Sequence, residues 1–412
     1  MPEPETVIRF PGAVVTEREH EVPLDYADPG RGTITVFTRE VASPDGLDRP
    51  YLLFLQGGPG FEATRPVSPP TGWVKRALAE YRVLLLDQRG TGRSTPVGTV
   101  IPGDTPEAQA GYLAHFRADS IVNDCEAVRR QLGSPPWTVL GQSFGGFTTL
   151  TYLSFAPDGL REALITGGLT PVGRHCDDVY AATYDELRLA NDRYFARYPG
   201  DRARADAILG RLDAEDVRLP CGDRLTSRRF RQLGMWLGDS AGFELLHHVI
   251  ELPFGSNAFL HDAERGTPWA RNPLYATLHE SSYADGVATR WSSARLKPAW
   301  VDETRAFTAE HVYPWMWEDY SGLHAHRDAA MLLAEHTWPR MFDEAQLRRN
   351  EVPVAATIYT NDLYVDRDLA VETAALIPNL RAWETSEYEH NGLRADGERV
   401  VGRLIDMVKG RA

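Results

Sequence analysis

The sequence predicts an α/β protein with a mostly parallel sheet, built from both ends of the chain and interrupted by a mainly helical insert. Three observations carry this. Between roughly residues 10 and 170, short β-rich runs alternate with helical patterns, the signature of strand-helix units on a parallel sheet. From about 175 to 340 the β-rich runs stop. They then resume and alternate with helical patterns again near the C-terminus. The expected division is therefore a core from residues 1–174 and 341–412, with a helical cap from residues 175–340.

In chain order, "TITVFTREV" (33–41), "YLLFLQ" (51–56), "YRVLLLD" (81–87), "WTVL" (137–140) and "EALITGG" (162–168) are the early strand candidates. Their β-branched and apolar runs suit strands buried on both faces. Between them, "DCEAVRRQLG" (124–133) has helical spacing. The insert is rich in Trp, Tyr, Arg and His, and "YDELRLANDRYFARYP" (184–199) and "FRQLGMWLG" (230–238) read as amphipathic helices. Next come a strand in "VPVAATIYTND" (352–362), a helix in "DLAVETAALIP" (368–378) and a strand in "LRAWETSEYEHNG" (380–392). The terminal helix pattern is "ERVVGRLIDMVKG" (398–410). There is no internal repeat and no low-complexity tract.

A chain of 412 residues can bury a substantial core. Its formal net charge of −14, with no lysine/arginine-rich block, disfavours a nucleic-acid or anionic-membrane surface and favours cationic ligands. Cys125, Cys176 and Cys221 stand far apart without a C-x-x-C, against both a disulfide framework and a thiolate metal site. No metal or cofactor is expected. The acidic, proline-bearing start lacks a signal-peptide pattern and no apolar stretch reaches transmembrane length, so the expected location is the cytoplasm. Nothing in the sequence sets an oligomeric state.

"GQSFGG" (141–146) follows one apolar run and precedes a helical pattern. Gly141-Gln142-Ser143-Phe144-Gly145 fits G-x-S-x-G, a sharp strand-to-helix turn that holds the serine strained and exposed while the glycines admit neighbouring backbone. A serine hydroxyl becomes a nucleophile only when a base takes its proton, so Ser143 requires a histidine and an acid from later strand ends. Asp362 and His390 each follow a late β-rich run in the required order. Asp366 and Asp368 compete for the acid role, although both fall where a helix starts. Oxyanion donors are expected from the backbone N–H of Phe144 and from the loop "LLFLQGGPG", through Gly57 and Gly58.

Together, "LQGGPGF" (55–61), "DQRGTGRST" (87–95), "GQSFGGF" (141–147), "HESSYA" (279–284), "EHVYPWMWEDY" (310–320) and "EYEHNGLR" (387–394) resemble the prolyl aminopeptidases, or proline iminopeptidases, of the α/β-hydrolase superfamily. The resemblance covers about residues 30–400 and is closest to the larger bacterial members. It implies an α/β-hydrolase fold with an inserted cap, and small peptide substrates with an N-terminal proline. It also implies Ser143, Asp362 and His390 as a catalytic triad. Glu280 and Glu310 match, in motif and spacing, the cap glutamates that hold the proline imino group. Tyr313 and Trp315 are expected to line the pocket, because small-molecule sites are largely apolar and aromatic. Gln56 stands where many members have histidine, which leaves the backbone donors untouched. A serine esterase would use the same triad; anionic groups in the cap distinguish the peptidase.

Other patterns fail their tests. Gly90-Thr91-Gly92 begins like a dinucleotide loop, but Thr95 occupies the third glycine position. His324, His326 and Asp328 lie in a helix-like stretch rather than after a strand, against a metal site. The rings of His247 and His248 cannot share one helical face.

Overall fold

The computed structural model describes residues 6–412. Nine strands form one sheet: β1 (Thr6–Phe10), β2 (Ala13–Pro23), β3 (Thr33–Ala42), β4 (Tyr51–Leu55), β5 (Arg82–Asp87), β6 (Trp137–Gln142), β7 (Leu160–Thr166), β8 (Val354–Tyr359) and β9 (Leu380–Thr385). Their order is β1-β2-β3-β5-β4-β6-β7-β8-β9. Pairing is antiparallel from β1 to β5 and parallel from β5 through β9. This is an α/β-hydrolase sheet, mostly parallel with an antiparallel flank. β7 and β8 are neighbours, with Leu164 opposite Ala355, although the insert separates them in sequence.

The parallel strands β4, β6 and β8 are buried almost throughout, as strands covered on both faces must be. One face packs Leu53, Val139, Ile165 and Ile358 against the helices Ala118–Gln131 and Phe144–Phe155. The other packs Leu52, Phe54, Leu140 and Ala355 against the helices Gly72–Leu78 and Gly397–Val408.

Between β7 and β8 the described residues form helices and loops, with a single isolated bridge between Arg218 and Arg224. These helices carry their own apolar centre, including Tyr184, Leu187, Phe230, Leu246 and Phe259. Polar contacts tie them to the sheet layer. Arg117 Nη1 donates to Ala284 O (2.7 Å) and Nη2 to Pro339 O (2.8 Å), while Ser240 Oγ donates to Asn391 Oδ1 (2.7 Å).

The "DQRGTGRS" segment after β5 is a bracket rather than a ligand loop. Asp87 accepts from Ala63 N (3.1 Å) and Arg93 N (3.0 Å), which ties the β4 and β5 loops together. Gly92 is required there, because a Cβ would overlap the Asp87 carboxylate. Arg89 is fully buried in a two-point pair with Asp124 (2.6 and 2.7 Å), and it also donates to the carbonyls of Pro23, Leu24 and His115. A guanidinium placed this deep needs every donor matched. Among the described residues no helix is long and apolar enough to cross a membrane.

Candidate active site

β6 ends at Gln142 and the helix Phe144–Phe155 begins two residues later, which leaves Ser143 alone to make the turn. It does so at φ 56°, ψ −124°, a region costly for a residue with a Cβ. Backbone bonds hold it there: Ser143 N donates to Thr166 O (3.0 Å), and Ser143 O accepts from Gly146 N (2.7 Å) and Phe147 N (3.4 Å). The glycines are steric requirements. A Cβ on Gly145 would overlap the Leu55 carbonyl, and one on Gly141 would overlap the Gly145 carbonyl. Phe144, as the first helical residue, has an N–H without an intrahelical acceptor.

Asp362 and His390 come from the loops after β8 and β9. His390 Nδ1 lies 2.7 Å from Asp362 Oδ2, the distance of an N–H donating to a carboxylate. The other Asp362 oxygen accepts from Tyr364 N (2.9 Å) and Val365 N (3.0 Å), so the carboxylate is held at both ends. The Tyr364 ring meets His390 edge-on at 5.0 Å, and its hydroxyl donates to the Met235 carbonyl of the insert. His390 N donates to Gly238 O (3.0 Å), a second tie to the insert. Burial disfavours the imidazolium. The Asp362 charge and hydrogen bond, aided by Glu310, outweigh it and hold the His390 pKa above its ordinary 6.5. Asp366 sits apart as an N-cap, accepting from Leu369 N (2.8 Å), and Asp368 follows within the first turn of that helix.

Gly57 and Gly58 face the serine across the cleft. A Cβ on Gly57 would come within 2.9 Å of Ser143 Cβ, so this loop can approach only as glycine. Support for the loop comes from Gln88 Nε2, which donates to Gln56 O (2.9 Å). That contact is independent of the side chain at position 56.

A cavity of about 330 Å³ collects these groups, with Ser143, His390, Gly57 and Gly58 in its wall. Glu310 lines it from the insert. Its carboxylate accepts from the Tyr275 hydroxyl and lies 3.4 Å from His279 Nε2. Burial opposes its charge, but the His279 imidazole and the two hydrogen bonds prevail and hold its pKa below the ordinary 4.5. It is an anion facing the serine.

Three expected binding residues lie elsewhere. Glu280 is buried away from this cavity, where it accepts from Ser292 N (3.2 Å) and Ser293 N (2.9 Å). It therefore satisfies the buried N-terminal amides of the short helix Ser292–Arg295. Tyr313 is buried in the centre of the insert with its hydroxyl 3.0 Å from that of Tyr184, and Trp315 stacks on its outer side. The aromatic lining comes instead from Phe61, Trp236, Tyr275 and Tyr364, along with Arg265, Arg394 and Asp239. Tyr364, two residues beyond Asp362, had a signal in the sequence through its nearness to the acid. Trp236 and Tyr275 had none, since many aromatics stud the insert.

Two histidines of the insert make structural contacts. His326 is buried between Thr277 Oγ1 (3.0 Å) and Gly98 O (2.7 Å), and His247 Nδ1 bonds Asp201 (2.8 Å). Among the described residues, His175, Cys176 and Asp177 are the one group of potential ligands within metal-binding reach of one another. His175 Nδ1 accepts from Asp177 N as a helix cap, and Asp177 pairs with Arg295.

Comparison with known proteins agrees with the fold. Residues 50–246 match the family model described as the alpha/beta hydrolase fold. The chain is 48% identical over 402 residues to a proline iminopeptidase of Aeromonas sobria, which covers 94% of each chain. It is 34% identical over 423 residues to a proline iminopeptidase of Aspergillus aculeatus, covering 96% of this chain and 94% of that one. Alignment at this identity runs across sheet and insert alike, and the chain belongs to the proline iminopeptidase family.

Proposed function

We infer that this protein is a serine exopeptidase that releases N-terminal proline from small peptides through an acyl-enzyme. The observation that carries this reading is one cavity lined by Ser143, by His390 paired to Asp362, and by the anion Glu310. Ser143 Oγ attacks the proline carbonyl as His390 Nε2 takes its proton, and Asp362 steadies the imidazolium. The N–H groups of Phe144 and the Gly57-Gly58 loop receive the oxyanion. His390 then protonates the departing amine, and water repeats the sequence to release proline.

Glu310 is the amine reader. Proline's secondary amine is protonated at neutral pH, and a cation brought into a buried site needs an anion. Glu310→Gln should lower kcat/KM on Pro-2-naphthylamide by about 30-fold or more. Glu280→Gln should instead lower Tm, because it loosens the amides of Ser292 and Ser293. If Glu310→Gln leaves Pro-2-naphthylamide kinetics unchanged, the amine is held elsewhere; if small uncharged acyl esters turn over well while Pro-2-naphthylamide does not, the protein is an esterase.

The pH dependence follows from the two shifts. His390 must be neutral to accept a proton, and its pKa is raised, so kcat/KM should climb through an apparent pKa above 6.5. Glu310 is ionised throughout that window because its pKa is lowered. Removing the Glu310 charge withdraws support for the imidazolium, so the limb should move to lower pH in Glu310→Gln. A pH–rate profile of both proteins checks the sign.

A further inference from the structure

Beside the catalytic cavity lies a second one of about 300 Å³, at the small end of ligand-sized sites. Phe54, Val67, Trp73, Val74 and Leu393 supply an apolar wall. Gln56, Gln142 and Arg394 line both cavities, so the two adjoin directly beside Ser143. In a chain of net charge −14, this second cavity has two arginines, Arg65 and Arg394, and no acidic side chain in its lining. Such a wall selects an apolar body with an anionic end.

Its position relative to His390 identifies the part of a substrate that reaches it. The leaving amine takes its proton from His390, so the residue bearing that amine must lie next to the imidazole. Asn391, Leu393 and Arg394, which directly follow His390, turn into the second cavity. Asn391 is pinned by Ser240, whose N and Oγ both donate to its Oδ1 (3.2 and 2.7 Å). Arg394 Nη2 donates to Asp239 Oδ2 (3.0 Å), which aims the guanidinium but leaves most of its five N–H groups for another acceptor. That pair is solvent-exposed and therefore weak enough to be shared.

We propose that the second cavity is the subsite for the residue following proline, taking an apolar side chain while Arg394 pairs with that residue's free carboxylate. The preferred substrates are then dipeptides of proline with a large apolar residue. This rests on the proline-releasing reading above.

Four substrates test it with the full-length protein: Pro-Phe, Pro-Phe-amide, Pro-Gly and Pro-2-naphthylamide. Pro-Phe should exceed Pro-Gly in kcat/KM by about tenfold or more, from burial of the ring. Pro-Phe should exceed its amide by about fivefold, the scale of a partly exposed ion pair. Val74→Trp fills the cavity and should collapse the Phe-to-Gly ratio, while Arg394→Gln should collapse the acid-to-amide ratio. Each ratio is internal to one protein sample, so partial misfolding does not alter it. Equal kcat/KM for Pro-Phe and Pro-Gly in an enzyme that cleaves Pro-2-naphthylamide overturns this subsite alone, and ratios unmoved by either variant do the same. Failure to release proline from any of the four overturns both readings.

Discussion

Ser143→Ala should cut turnover of Pro-2-naphthylamide by at least about 10⁴-fold while leaving the fold intact. Removing the nucleophile of a triad costs nearly as much as removing all three members, because each acts only through the others. The fold should survive because the turn depends on backbone bonds from Ser143 N and Ser143 O and on the closeness of Gly141 and Gly145, none of which uses the hydroxyl. Alanine retains the Cβ and so the strain at φ 56°. The rate of 2-naphthylamine release provides the measurement. Near-normal turnover by Ser143→Ala would falsify the assignment of the nucleophile.

Asp362→Asn should cost about 10⁴-fold in kcat. An amide in place of the carboxylate can donate to His390 Nδ1, which turns the imidazole to the wrong tautomer and withdraws the charge that favours its protonated form. The acid limb of the pH profile should therefore move down as well. Asp366→Asn is the comparison, since asparagine still accepts from Leu369 N and caps the helix Arg367–Leu376, so both kcat and Tm should stay close to those of the unaltered protein. If Asp366→Asn proves the more damaging to kcat, the acid has been chosen wrongly.

The two variants differ in how far sequence alone supports them. The turn at Ser143 was legible because a strand-to-helix turn in so few residues tolerates only a narrow set of side chains. The bracket "DQRGTGRS" was legible only as a failed dinucleotide loop; its work of tying Ala63 to Asp87 and Gln56 to Gln88 depends on two loops meeting. The strands β1 and β2 escaped the early pattern. β1 is exposed along most of its length, and in β2 apolar alternation is diluted by the charged "TEREHE" on an antiparallel flank.

Glu280 and Glu310 show the limit most clearly. Both stand in similar short stretches of the insert, and both carboxylates are deeply surrounded. One faces backbone amides of its own domain, and the other faces Ser143 across a cavity. Nothing local separates them. In the same way Tyr313 and Trp315 satisfy every compositional expectation for a pocket, yet they pack within the insert while Trp236 and Tyr275 reach the site.

The sequence by itself determined the alternation of a buried parallel sheet, the interruption by a helical insert, and the order of serine, acid and histidine at strand ends. These depend on interactions within a few residues: apolar runs, glycine tolerance at a sharp turn, and helix spacing. Only the tertiary structure decided which face of the insert meets the sheet, which carboxylate enters the cavity beside Ser143, and which aromatics and arginines line it. Those outcomes depend on the packing angles of many short helices, where a small rotation exchanges one side chain for its neighbour, and residues far apart in the chain set that rotation together.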